Sequence, residues 1–317
     1  MHRRRDDQTP VIASVVFAVL SAVSFALATV SQHRAARTAH PSTGLGLGLL
    51  RRLARRPLWL LGLVSGALGL VLHGLALSRG QLTVVQPVLV SGLLFALPLS
   101  LLVERTSPKW REWVWAVAVV LGLALFLLAA RPSPGVPLAD EGALAGLGGA
   151  VMAAAAVAVA LAATTVRRHR AALLGTAAGL SFGVTAALLK QVVGELARGP
   201  LVPFTDWSVY ALLLVGGTGL VLTQTAYQAG RLAASLPPMT IVDPIAAVAI
   251  GAVCFNEQLT AQPLAVAGQL VGFAIMTVAV IRLAALTAQD DGEPRAAPAR
   301  PDEQVASLPP EPARCTG

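Results

Sequence analysis

Nine runs of about 20 mostly apolar residues occupy the chain between residues 11 and 286, and no other feature constrains its fold as tightly. They cover 11–30, 58–78, 82–103, 112–130, 143–166, 171–193, 207–228, 239–255 and 264–286. A helix needs about 20 apolar residues to cross the hydrocarbon of a bilayer. Backbone polar groups there must pair within their own segment, so such runs become helices. Composition agrees: 13% of residues are charged, against roughly a quarter in a soluble domain. The expectation is an all-α polytopic protein of about nine transmembrane helices, multi-pass in the cell membrane and, by its type, a bacterial plasma membrane. The bilayer is then its first partner. Residues 1–10 form an N-terminal tail. Residues 287–317, rich in Pro, Ala and charge, are expected to be disordered. The first run has a rival reading as a secretory signal, with HRRR before it and Ala26-Leu27-Ala28 resembling a cleavage site. Against that, its Ser24-Phe25 is echoed by Ser181-Phe182, as befits a retained helix.

A net charge of +8 raises the question of nucleic acid, yet the arginines cluster between apolar runs. Cytoplasmic loops carry that excess in membrane proteins, so no nucleic-acid partner is expected. With the N-terminus outside, the inner loops hold fourteen Lys and Arg and the opposite side seven, which favours N-out, C-in. Arg3, Arg4 and Arg5 stand against this count. LLRRLARR (49–56) reads either as an interfacial amphipathic helix or as a solvated basic linker. The two cysteines make neither a disulfide framework nor a metal spacing, and no cofactor or enzymatic signature is present.

GLVLHGLALSRGQL (69–82) returns as GLVLTQTAYQAGRL (219–232), with seven of fourteen positions identical. The matched residues are apolar or Gly; the polar ones differ. Residues 78–81 make a tight turn between runs 58–78 and 82–103. The two hairpins begin five runs apart, and an odd offset reverses the direction of crossing. The chain therefore reads as two inverted repeats, 11–130 with four helices and 143–286 with five. Secondary transporters use this plan and bind substrate near the midplane, where the halves meet. A duplication kept for stability alone would also preserve the apolar positions, but leaves the polar residues of 207–228 without a role.

Asp243 is the one carboxylate clearly within a run, four residues into 239–255, with Pro244 after it and Pro237 and Pro238 ahead of the helix. Prolines remove ladder donors, which membrane helices tolerate against protein or a water-filled cavity. Asp243 reads as a site for a cationic substrate or coupling proton, or as an interfacial acid favoured by the helix N-terminus. His73 reads as a proton relay or substrate contact, or as a buried histidine bonded to a neighbouring helix. Gln86 precedes Pro87, where 82–103 is expected to break, at the place equivalent to Leu236-Pro237. Thr223, Gln224 and Gln228 are pathway candidates that interhelical hydrogen bonding would equally explain. Lys190 is expected to snorkel to the interface, and Glu104 and Glu257 to be ordinary interfacial acids closing their helices.

DPIAAVAIGAVCFNEQLT (243–260), with Pro244 followed thirteen residues later by Glu257, resembles the EamA-type signature of the drug/metabolite transporter superfamily. The first half has a looser version from Pro87 to Glu104. The order of basic loop, Trp-Leu-Leu-Gly helix and proline-containing helix in 51–105 is similar to the nine-helix, magnesium-transporting NIPA branch. These resemblances imply two inverted halves and a secondary transporter without enzymatic activity, working by alternating access. The expected substrate is a small metabolite or organic cation, with proton coupling open. NIPA-type transporters carry a Gly-Glu pair where this chain has VSGALGLVLHG (64–74), without an acid. A divalent-cation transporter, with Asp243 as metal ligand, therefore stands second. A non-transporting scaffold or lipid-handling protein is the alternative of another class, and a homodimer is the protein partner considered.

Overall fold

A computed structural model describes residues 8–37, 56–104, 109–131, 135–165, 167–229 and 232–290. Their helices are α1 (Gln8–Arg37), α2 (Pro57–Leu77), α3 (Leu82–Val90), α4 (Gly92–Glu104), α5 (Trp110–Ala130) and α6 (Glu141–Thr164), then α7 (Arg167–Leu196), α8 (Val202–Thr205), α9 (Trp207–Ala229), α10 (Leu232–Cys254) and α11 (Pro263–Asp290). Beyond one isolated bridge residue, Gln258, no extended strand occurs among the described residues. Seven of the helices are long and apolar enough to cross a membrane: Ile12–Gln32, Pro57–Leu77, Trp110–Ala130, Glu141–Thr164, His169–Leu196, Pro237–Cys254 and Pro263–Leu283. This is a multi-pass, all-helical membrane protein.

Three boundaries differ from expectation, besides α1, which starts at Gln8 inside the expected tail 1–10 and runs past residue 30 to Arg37. The run 82–103 is two helices, and the break falls at Ser91, not at Pro87, which sits inside α3. The Ser91 amide bonds back to Val88 O at 3.0 Å and Leu94 N to Ser91 O at 2.9 Å, i to i−3 closures that tighten the chain there. Secondly, α10 starts at Leu232 rather than 239, with Pro237, Pro238 and Pro244 all inside it. Thirdly, α11 continues to Asp290, so the first residues of the expected tail are helical. The rest of that tail, the stretch 49–56 up to Arg55 and Arg3 to Arg5 lie outside the described residues. The short α8 had no apolar signal to announce it.

Glycine sets how closely the helices approach, as expected where lipid supplies no hydrophobic drive between them. A Cβ on Gly69 of α2 would lie 2.7 Å from the Phe25 ring of α1, and one on Gly219 of α9 3.0 Å from the Phe182 ring of α7. The sequence repeat thus recurs as the same Phe-on-Gly contact. The crossing of α5 and α11 is tighter still. A Cβ on Gly122 would sit 2.8 Å from Gly272 O and 2.8 Å from Met276 Cγ; one on Gly272 would sit 2.6 Å from Phe126 N. A Cβ on Gly268 would meet Ala129 at 2.8 Å. The pairing descends along α11 as it ascends along α5, so the two run antiparallel. Residues 122 and 126 map onto 272 and 276 by the same offset of 150 that relates the hairpins, so each contact is the image of the other.

The centre of the molecule is α3. Every residue from Leu82 to Val88 is buried, against α1, α2, α5, α7 and α10. The two most intimate pairs around it are α1 with α2 and α7 with α10.

Candidate functional site

α3 and α10 lie side by side and antiparallel. Leu82 Cβ is 3.3 Å from where Gly251 would carry its own, while Val90 shares a small void with Thr240 and Pro244, closed by Phe273 and Met276 of α11. At 1.5 Å per residue, Gln86 lies about 6 Å and Asp243 about 12 Å from the Leu82–Gly251 level. The polar groups of the two helices therefore stand about one turn apart in depth.

Asp243 is equidistant from Leu232 and Cys254. It is the midpoint of its helix, about 16 Å from either end, and not an acid near a helix N-terminus. Reading the prolines as punctuation ahead of a helix misplaced it; a bilayer favours helix so strongly that the segment stays helical through all three. Helix α7 approaches the backbone of this segment through Gly179 and Gly183. A Cβ on Gly179 would lie 3.2 Å from Asp243 N, and one on Gly183 2.9 Å from Asp243 O. Asp243 Oδ1 is buried without a hydrogen-bond partner among the described residues. A carboxylate oxygen left so within a membrane span costs several kcal/mol. Ser31 Oγ and Ser91 Oγ are likewise buried without a partner among the described residues, and Ser91 is next in sequence to Val90 as Asp243 is to Pro244. Ser91 has no signal in the sequence, because a lone serine in an apolar run looks like any other until the helix breaks there.

His73 and Gln86 are brought together. Both are buried, and Gln86 Nε2 lies 3.4 Å from His73 Nε2, to which it donates when the imidazole proton is on Nδ1. The Phe25 ring stands edge-on to the imidazole, centroids 6.4 Å apart. Thr223 donates to Gly219 O at 2.9 Å, and its Oγ1 lies 3.6 Å from Met239 Sδ, one turn before Asp243. The side chains of Gln224, Gln228 and Glu104 lie outside those described. Among the described residues no three His, Cys, Asp or Glu side chains gather as a metal-binding group, and no second acid joins Asp243.

The expectations for Lys190 and Glu257 are overturned. Lys190 does not snorkel; it is buried in α7 and ion-paired with Glu257, its ammonium 4.5 Å from the Phe255 ring centroid. Glu257 is no interfacial acid but one of the most buried side chains in the protein. Its Oε1 accepts from Leu82 N and its Oε2 from Thr83 N, both at 2.8 Å, so it caps α3 from the other half of the chain. One signal for this was in the sequence: the turn before α3 offers no side-chain cap, so its first amides needed an acceptor from elsewhere. Asn256, at φ 51°, turns the chain after α10 and aims Glu257 back at α3. A second buried carboxylate, Glu195 of α7, accepts from Ser208 Oγ at 2.6 Å and Gln191 Nε2 at 3.0 Å. Gln191 in turn accepts from Ala139 N at 2.9 Å, which ties the loop between α5 and α6 to α7.

The fold and these groups define a polytopic helical membrane protein with buried, partly unsatisfied polar groups at mid-span. The chain is 30% identical over 288 residues to the uncharacterized protein Cgl0250/cg0304 of Corynebacterium glutamicum, an alignment covering 90% of this chain and 99% of that one. It belongs to the same family as that protein. No protein-family model matches the chain, and no solved structure does.

Proposed function

We propose that the protein is a secondary transporter of the drug/metabolite, EamA-like type, carrying a small metabolite or organic cation by alternating access. Its two halves are inverted repeats, and the topology is N-out, C-in with nine crossings, α3 and α4 together forming the third. The observation that carries this reading is the partnerless Asp243 Oδ1 at the centre of a proline-rich helix. A membrane protein keeps such a group where a cation or a proton repays it. The reciprocal, antiparallel Gly122–Gly272 contact supports inverted halves, and the arginine count supports the orientation. Glu257 and the α2–α3 turn then lie at the outer end.

A second reading, a non-transporting membrane scaffold, draws on different groups. His73 and Gln86 satisfy each other, and Thr223 is satisfied by its own helix, as in plain helix packing. Flux into proteoliposomes across Mg²⁺, amino acids and organic cations, with a set pH gradient, separates the two. Uptake or exchange of an organic solute, lost in Asp243→Asn, is the expected result. A Mg²⁺ signal would make Asp243 a metal ligand, and silence over the whole panel favours the scaffold.

A further inference from the structure

Glu257 joins parts of the molecule that are remote in sequence and belong to opposite repeats. Its carboxylate receives the first amides of α3, Leu82 N and Thr83 N, and the ammonium of Lys190 from α7. Apolar packing also joins the α2–α3 hairpin to the second half: α3 lies along α10 from Leu82 beside Gly251 to Val90 beside Pro244, and a Cβ on Gly74 would lie 3.3 Å from Val193 and 3.8 Å from Leu189. Apolar surfaces slide, whereas hydrogen bonds to a charged group are directional and strong. At the Leu82 end of α3 the directional part of this contact is the Glu257 carboxylate.

Each group also has somewhere to go when the contact parts. Glu257 is carried by the non-helical link between α10 and α11, and its side chain can leave the α3 amides by rotation about its own bonds while its backbone amide stays on Gly251 O. Lys190 keeps the Phe255 ring beneath its ammonium. The α3 amides follow an exposed turn, Ser78 and Arg79, where water can replace the carboxylate. A permanent structural clamp would not need these provisions.

We propose that Glu257 and Lys190 form a latch that closes this end of the molecule by holding the α2–α3 hairpin on the second half, and that it releases when the path opens there. This rests on the transporter reading, but its test does not require flux. In a background with Cys254→Ala and Cys315→Ala, spin labels at Ser78 and Gln258, both exposed and on either side of the contact, report the gap in lipid nanodiscs. The wild type is expected to show one dominant short distance. Glu257→Gln and Lys190→Met should each raise a second, longer population at least threefold, while Lys190→Arg retains the short one. If Glu257→Gln fails to give monodisperse protein, Lys190→Met, which leaves the carboxylate on the α3 amides, carries the test. Unchanged distances in the folded variants overturn the latch, whatever the flux. Shifted distances in a protein that moves no solute leave the latch standing and remove the transporter.

Discussion

Asp243 and Glu257 are carboxylates fourteen residues apart in opposite circumstances, and single-residue changes should expose the difference. Asp243→Asn keeps the shape and removes a charge that no described group neutralises. It should leave thermal stability in detergent unchanged or slightly raised while reducing flux at least tenfold, the loss expected when one charge-assisted contact of about 1.5–3 kcal/mol is removed. A fall in melting temperature with flux intact would show that the carboxylate serves the fold. Glu257→Ala should instead lower the melting temperature. It strands Lys190 in the interior, and breaking a buried pair costs about 3–5 kcal/mol. Lys190→Met combined with Glu257→Gln should recover much of the loss in a melting experiment. The sequence made the first residue visible and hid the second. An acid inside an apolar run stands out on its own, but Lys190 and Glu257 each look like a boundary charge until the fold brings positions 67 apart into contact.

At the scale of the helices, the glycines of the α5–α11 crossing are equivalent by repeat and by contact, so they should fail alike. Gly122→Leu and Gly272→Leu each drive a side chain into the backbone of the facing helix, and overpacking of that kind costs about 1–3 kcal/mol or more. Similar losses in folded yield and melting temperature are expected, with the double variant well short of additive because both disturb one contact. Gly217, whose Cβ position is open, is the control: Gly217→Ala should be neutral or mildly stabilising. Equal damage at Gly217 would mean that the assay reports helix glycines in general and not this crossing. Helix positions were legible because hydropathy and the bilayer's demand for paired backbone act on the same runs. Their interruptions were not. Proline is a reliable break in water, whereas here three prolines ride within α10 and the break comes at Ser91.

For the whole molecule, the proposed orientation rests on charge outside the helices, and fusions read it directly. A C-terminal fluorescent protein should glow and a C-terminal alkaline phosphatase should stay inactive in a bacterial host; the opposite pair of results would reverse the topology. Replacing Arg51, Arg52, Arg55 and Arg56 together should produce mixed orientation in the same assay. The class of fold was readable at this scale from composition alone. Where the polar residues meet was not, because it depends on which faces α3 and α10 turn to each other.

The sparsely buried α6 gives this plan a genealogy. It packs chiefly on α7 through Ala155 and Ala158, and most of its surface faces outward. On the proposed topology, a four-crossing unit copied and joined directly to itself would enter the bilayer twice from the same side, and its copies could only run parallel. One added crossing turns the second copy over. On that plan α6 is the added crossing, and an unrelated apolar segment of the same length should serve in its place.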